Sequence, residues 1–202
     1  MSHRYVIIGG NIAGTTLADS LRKEQPDAAI TIIERETNPC YSRVLLPHYV
    51  KEKIPREKLF MKQLSWYEEK GIEYMNGVEA QSIDAKNRFV ATSEGREIPY
   101  DSLIITTGGD VNTLPFSQRE IAYFRGLEDA DQIKTLISEL KLRPEGERHM
   151  LIYGGGFITM EFANMCEYYD LKGTIVMRSD GFWSKALTQQ ASDLLASHSK
   201  SK

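Results

Sequence analysis

Cysteine is scarce: the 202-residue chain holds two, Cys40 and Cys166. They stand far apart, with no C-x-x-C pair and no metal-ligand spacing. That excludes a disulfide framework and a zinc module, and it fits a reducing cytoplasm. Both read as unpaired structural residues rather than catalysts, since free cysteine is often buried. Histidine is equally sparse, and His3, His48, His149 and His198 are scattered without metal-binding spacing. No apolar run approaches membrane-spanning length. No cationic stretch leads into an apolar segment with a cleavage site, so a signal peptide is not expected. Neither sign of charge dominates. The net charge of −3 gives no reason to expect nucleic acid or an anionic membrane as partner.

What the chain does have is glycine after short apolar runs. "RYVIIGGNIAGTTLADSLRKE", residues 4–24, passes from a strand-like run into Gly9, Gly10 and Gly14, then into helical spacing from Ile12 to Lys23. Pro26 ends that helix, and "AITIIE", Ala29 to Glu34, is a second β-branched strand. A strand–helix–strand unit of this size needs a right-handed crossover and a parallel sheet. Its turn is close to G-x-G-x-x-G. There the first glycine makes the tight turn, the second admits a diphosphate and the third lets helix and strand pack. Glu34 lies at the distance where an acid receives ribose hydroxyls. The middle position carries Asn11, the residue after glycine that best tolerates unusual backbone angles, with an amide able to donate to phosphate.

Downstream, Pro39, Pro47 and Pro55 argue against a long regular element. "REKLFMKQLSWYEEKGI" reads as one helix or two short ones closed by Gly71, its aromatics going to core and helix surface. "VKEKIPREK" reads as a solvated face. "IEYMNGVEAQSID" and "RFVATSEGREIPY" alternate as strands, with a hairpin turn at "SEGRE". "SLIITTGG", Ser102 to Gly109, reads as another buried strand entering a glycine turn. After Pro115, "LEDADQIKTLISELKLRPEGE" is a helix that breaks at Pro144. "HMLIYGGGFITMEFANMCEYYDLKGTIVMRSDG" then repeats the opening plan, and "SKALTQQASDLLASHSKSK" is helix-like before it frays. In the second loop Gly154 and Gly156 are present, but Thr159 takes the third glycine's place, and its β-branched side chain should push the helix off the strand. No acid follows; Met177 and Arg178 stand there. Either this site takes a 2′-phosphate, which an arginine can meet, or nicotinamide binding is weak or lost.

Two dinucleotide units joined by "YDSLIITTGG" resemble the FAD-dependent pyridine nucleotide–disulfide oxidoreductase superfamily along essentially the whole chain. Thr106 replaces the alanine of that family's A-T-G. "PCYSRVLLPHYV" is similar to a segment of the NADH:rubredoxin reductase and nitrite reductase branch, and "FRGLEDADQIKTL" with "YGGGFITMEFA" resembles the entry to its NAD domain. The implied fold is α/β, with two Rossmann-like units, a small antiparallel element and an incomplete second unit. The implied domains are residues 1–114 for FAD and 115–202 for NAD(P).

The resemblance also implies roles. Gly9, Asn11, Ile12, Ala13 and Gly14 would wrap the FAD pyrophosphate, with Glu34 and Arg35 flanking the adenosine ribose. Ser42 and Arg43 would lie near the FAD, with His48 in the same segment able to touch ligand. Ala80 would contact adenine, and Thr107 and Gly108 would close over the flavin nucleotide. Gly154, Gly156, Phe157 and Ile158 would face the nicotinamide nucleotide, with Glu161 near its reactive end and Arg178 at its ribose. One branch of the superfamily carries a redox cysteine where this chain has Val44; Cys40 does not align with it. Hydride transfer from NAD(P)H to FAD, then electron passage to a carrier protein or inorganic acceptor, is the implied activity of a cytoplasmic enzyme. No catalytic residue is nominated. Family members run well beyond the length of this chain. The other expectation is therefore a truncated, non-catalytic FAD- or nucleotide-binding module, or half of a split reductase with a separately encoded C-terminal partner.

Overall fold

The computed structural model describes residues 2–179, 181–183 and 186–200. In chain order the elements are β1 (Arg4–Ile8), α1 (Ile12–Glu24), β2 (Ala29–Glu34), α2 (Leu46–Val50), α3 (Leu64–Glu69), β3 (Ile72–Asn76), β4 (Ala80–Asp84), β5 (Phe89–Thr92), β6 (Glu97–Pro99) and β7 (Ser102–Ile105). Then come α4 (Leu127–Lys141), β8 (His149–Tyr153), α5 (Phe157–Tyr169), β9 (Lys172–Val176) and α6 (Gln189–Lys200). They form two compact units, residues 1–43 with 55–111, and residues 44–54 with 112–202.

In the first unit the strand order is β3-β2-β1-β7, all parallel, with Val6 opposite Thr31 and Leu103. Alternate residues of a strand face opposite sides, so β1 and β2 feed two cores. Ile7, Ile30 and Ile32 pack under α1 and α3 with Ala18, Tyr67 and Ile72. Val6, Ile8 and Ile33 face the other way, against Val90 and Ile98 of the β4-β5-β6 meander and Tyr100 just after it. Burying each of these branched side chains stabilises the fold by about 1.5–3 kcal/mol. Both faces of the sheet are thus covered, as parallel sheets require. The turn after β5 falls at the expected "SEGRE", where Gly95 N–H donates to Thr92 O at 2.9 Å. The base of the sheet is tied by Arg4, whose guanidinium holds the Asp101 carboxyl well below the usual carboxylate range.

β7 departs from the sequence reading. It is an edge strand, half-buried, with Ile105 exposed. An apolar run does not reveal whether a strand has neighbours on both sides.

In the second unit β8 and β9 pair in parallel, and α5 covers the face that carries Ile152. The opposite face exposes Leu151, Tyr153 and Val176. α4 begins at Gly126, whose N–H donates to Asp129 Oδ2 at 2.7 Å, and buries Leu127, Ala130, Ile133 and Ile137. The segment 44–54 belongs to this unit although it lies far upstream in sequence. Tyr49 Oη donates to Asp131 Oδ1 at 2.6 Å, and Tyr169 Oη donates to Val50 O at 2.5 Å. Lys51, which is buried, donates to Asn164 Oδ1. α6 runs where helix was expected. The fraying expected in its Ser, Lys and His tail is not found within the described residues, since the helix continues through Ser197 and His198 to Lys200; residues 201–202 lie outside them.

Candidate functional site: two glycine turns

The first turn is shaped by close approach. Gly9 has φ +102, a conformation that side-chained residues rarely adopt, and a Cβ there would meet Thr106 O at 2.5 Å. A Cβ on Gly14 would sit 1.9 Å from Gly9 O, inside any permitted contact. The chain therefore turns tightly enough to aim the start of α1 into the space above β1. Helix N-termini present unpaired N–H groups and a positive dipole end, so the cradle suits a diphosphate. Glu34 closes it from β2: Oε2 accepts from Gly10 N–H at 2.5 Å and Oε1 from Glu36 N–H at 2.9 Å. A carboxylate has about four lone-pair sites, which leaves capacity for two ribose hydroxyls.

Asn11 has φ −80 and ψ −156, ordinary extended backbone, so its tolerance of unusual angles is not what places it there. Its side-chain oxygen accepts from Ile12 N–H at 2.7 Å. That contact uses the oxygen and not the amide nitrogen, which is the group expected to donate to phosphate.

Several supports of this turn carry no signal in the local sequence pattern. Thr15 Oγ1 donates to Gly10 O at 2.6 Å and, with its proton spent, accepts from Tyr67 Oη at 2.8 Å. Tyr67 stacks on Tyr74 at 4.1 Å, and burial pushes both phenols up. Thr106, the residue in place of alanine, donates through Oγ1 to Gly9 O at 2.8 Å and ties β7 to the turn. Cys40 is buried beside Asn11, and that burial pushes its thiol up. Such a thiol stays protonated at neutral pH and is a poor nucleophile.

The other expected flavin-side residues are spread around this centre. Exposed Arg35 pairs with Asp110 at 2.9 Å. Arg43 pairs with Glu36 at 2.5 Å, and Tyr41 Oη donates to the other oxygen of the same carboxylate at 2.6 Å. Ser42 N–H donates to Leu59 O. Ala80 opens β4 opposite Thr92. Exposed Thr107 and Gly108 follow β7, with Gly108 at φ +71.

The second turn has the same plan. Gly154 has φ +143, its N–H donates to Val176 O at 2.9 Å, and Gly156 caps α5 with open space where a Cβ would stand. Thr159 is buried, with Oγ1 3.0 Å from the Cβ position of Gly154, so it fills the gap between loop and helix. Phe157 and Ile158 are exposed at the start of α5, and Phe157 meets Trp183 with ring centroids 4.7 Å apart. Glu161 is half-buried one turn further on. Met177 packs its sulfur over Gly155, and Arg178 is exposed beside it. Burial pushes the thiol of Cys166, on the buried face of α5, up to about 11. Among the described residues no group of three or more metal-ligating side chains is present, and no helix is long and apolar enough to cross a membrane.

Known proteins share this architecture. The family model described as pyridine nucleotide-disulphide oxidoreductase matches residues 3–202. Monodehydroascorbate reductase 5 of Oryza sativa subsp. japonica is 27% identical over 93% of this chain and 40% of its own length. The ferredoxin–NAD(+) reductase subunit of the benzene 1,2-dioxygenase system of Pseudomonas putida is 26% identical over 89% of this chain and 43% of its own. The crystal structure of the covalent putidaredoxin reductase–putidaredoxin complex superposes with a TM-score of 0.89 at 23% identity, over 98% of this chain and 48% of that one, and shows the same fold. The chain thus spans less than half the length of each. The chain belongs to the pyridine nucleotide-disulphide oxidoreductase family, whose cofactors are FAD and NAD(P)H.

Proposed function

We propose that the protein is the dinucleotide-binding part of an FAD-dependent NAD(P)H oxidoreductase that passes electrons to a carrier protein or an inorganic acceptor. The observation that carries this reading is the pair of glycine turns, each opening a 13-residue helix directly after a parallel strand. The residues of the first turn fit FAD, because a Cβ at Gly9 would strike the Thr106 backbone and one at Gly14 the turn's own backbone, and a turn that tight brings the N-terminus of α1 to where a pyrophosphate would sit. FAD, when bound, accepts hydride from NAD(P)H and hands the electrons on.

The protein's part is to bind and orient. Gly9, Ile12, Ala13 and Gly14 hold the pyrophosphate, and Asn11 lies between them as the N-cap of α1. Glu34 takes the adenosine ribose, with Arg35 beside it, while Ala80 meets the adenine and Thr107 and Gly108 close over the nucleotide. Ser42 and Arg43 lie near the FAD, with Arg43 held by Glu36. Gly154, Gly156, Phe157 and Ile158 receive the nicotinamide nucleotide, with Glu161 toward its reactive end. Val44 is exposed and carries no thiol, and burial pushes the Cys40 thiol up, so neither residue offers a redox thiol beside this turn. Two relatives support a carrier as acceptor: one is named a ferredoxin–NAD(+) reductase subunit, and another structure holds a reductase joined to putidaredoxin.

Among the described residues no acid stands where β9 ends, and Arg178 is exposed there, so Arg178 meets a 2′-phosphate and the donor is NADPH. The test is anaerobic reduction of FAD-loaded protein, followed by loss of flavin absorbance. Wild type is reduced by NADPH at lower concentration than by NADH. Arg178→Ala raises the NADPH requirement about tenfold, the size of one charge-assisted contact, and leaves NADH unchanged. Equal response to the two nucleotides in both proteins would overturn the NADPH assignment; no reduction by either would overturn the oxidoreductase reading.

A further inference from the structure

Three amides of the first glycine turn have acceptors within the protein. Gly9 N–H donates to Ile33 O at 2.8 Å, Gly10 N–H to Glu34 Oε2 at 2.5 Å and Ile12 N–H to Asn11 Oδ1 at 2.7 Å. The Ile12 amide is one of the four N–H groups at the start of α1 that have no acceptor within the helix. Those groups are what a diphosphate uses. At the middle position of the fingerprint, glycine would leave them open. Asn11 instead puts a carboxamide oxygen onto the nearest of them, and its backbone angles give no other reason for asparagine. Buried Cys40 adds a second, weak donor to the same oxygen, with Sγ 3.9 Å from Asn11 Oδ1.

We infer that Asn11 is a built-in competitor of the FAD pyrophosphate: its oxygen stands in for a phosphate oxygen on the Ile12 amide, and flavin entry displaces it. The inference rests on reading this turn as the FAD site. Glu34 shares in the arrangement, since the Gly10 amide is already engaged by the acid that the ribose needs. Two amides of the turn, those of Gly10 and Ile12, are therefore already engaged by side chains. The cost of freeing them is charged against affinity, as any pre-binding rearrangement must be. The position of Asn11 thus sets how tightly flavin is held without changing what is held.

The test compares wild type, Asn11→Ala and Asn11→Gly by flavin-fluorescence quenching with FAD and by thermal melting without flavin. Both variants are expected to bind FAD about fivefold tighter, the equivalent of one helix cap returned to the ligand. Flavin-free Asn11→Ala melts below wild type, because alanine cannot cap. Flavin-free Asn11→Gly melts close to it, because glycine is a tolerated N-cap. Weaker FAD binding by both variants would overturn the inference and make Asn11 a ligand contact. Tightening by Asn11→Gly alone would also overturn it, because the bulk of a Cβ, not the cap, would then be at issue. If wild type binds no FAD and the variants bind none either, the FAD reading itself falls and the inference with it.

Discussion

Gly14→Val lowers the thermal midpoint by about 10 °C and abolishes flavin retention. The Cβ alone would lie 1.9 Å from Gly9 O, and 2.9 Å from the Thr106 hydroxyl that ties β7 to the turn. Both neighbours are fixed, one as backbone and the other through a hydroxyl proton shared between the Gly9 and Ile8 carbonyls. The strand or the helix must therefore move as a body. Overpacking of this kind costs about 3 kcal/mol, and in a chain of this size each kcal/mol is about 2–4 °C. Displacing α1 also takes its N–H groups away from the ligand, so flavin binding fails at temperatures where the protein is still folded. Gly146→Val is the matched control, because nothing lies within 4 Å of a Cβ there; its midpoint stays near wild type. A Gly14→Val protein with wild-type melting and flavin content would contradict the assigned close approach.

Glu34→Ala weakens FAD binding about 100-fold, measured by fluorescence titration. Two hydrogen bonds to ionised oxygens are lost from the ribose, each worth about 1.5–3 kcal/mol. Gly10 and Glu36 also lose their acceptor, so the flavin-free protein melts lower as well. Glu34→Gln keeps acceptor oxygen with the same shape and falls between the two. Unchanged FAD affinity in Glu34→Ala would mean that the adenosine end is held elsewhere.

The parts of this site that were legible in sequence are those written in consecutive residues. A β-branched run, a glycine turn and a helical spacing fall within residues 4–24, and each is dictated by short-range sterics, so β1, α1 and β2 follow directly. The acid at the end of β2 is a fixed distance along the same unit. The exposed edge of β7 was not legible, since an apolar run reads alike whether a strand has one neighbour or two. Nor were Tyr67 and Thr106, which reach the turn from residues 52 and 97 positions away from their partners. Their hydrogen bonds exist only once the sheet order brings them together. The segment 44–54 is the largest case. Its prolines announced irregular structure, but Tyr49, Val50 and Lys51 find partners at Asp131, Tyr169 and Asn164, on helices far along the chain. At Asn11 the backbone does not bear out the expected tolerance of unusual angles: it is extended, and the side chain caps the helix.

The most direct test of the central claim is the visible absorption spectrum of the purified full chain after saturation with FAD and removal of free flavin by gel filtration. The two glycine turns predict a protein-bound flavin spectrum in stoichiometric amount, which bleaches when NADPH is added without oxygen. A protein that emerges folded and colourless, with all flavin in the small-molecule fractions, would contradict the assignment of the first turn as an FAD site.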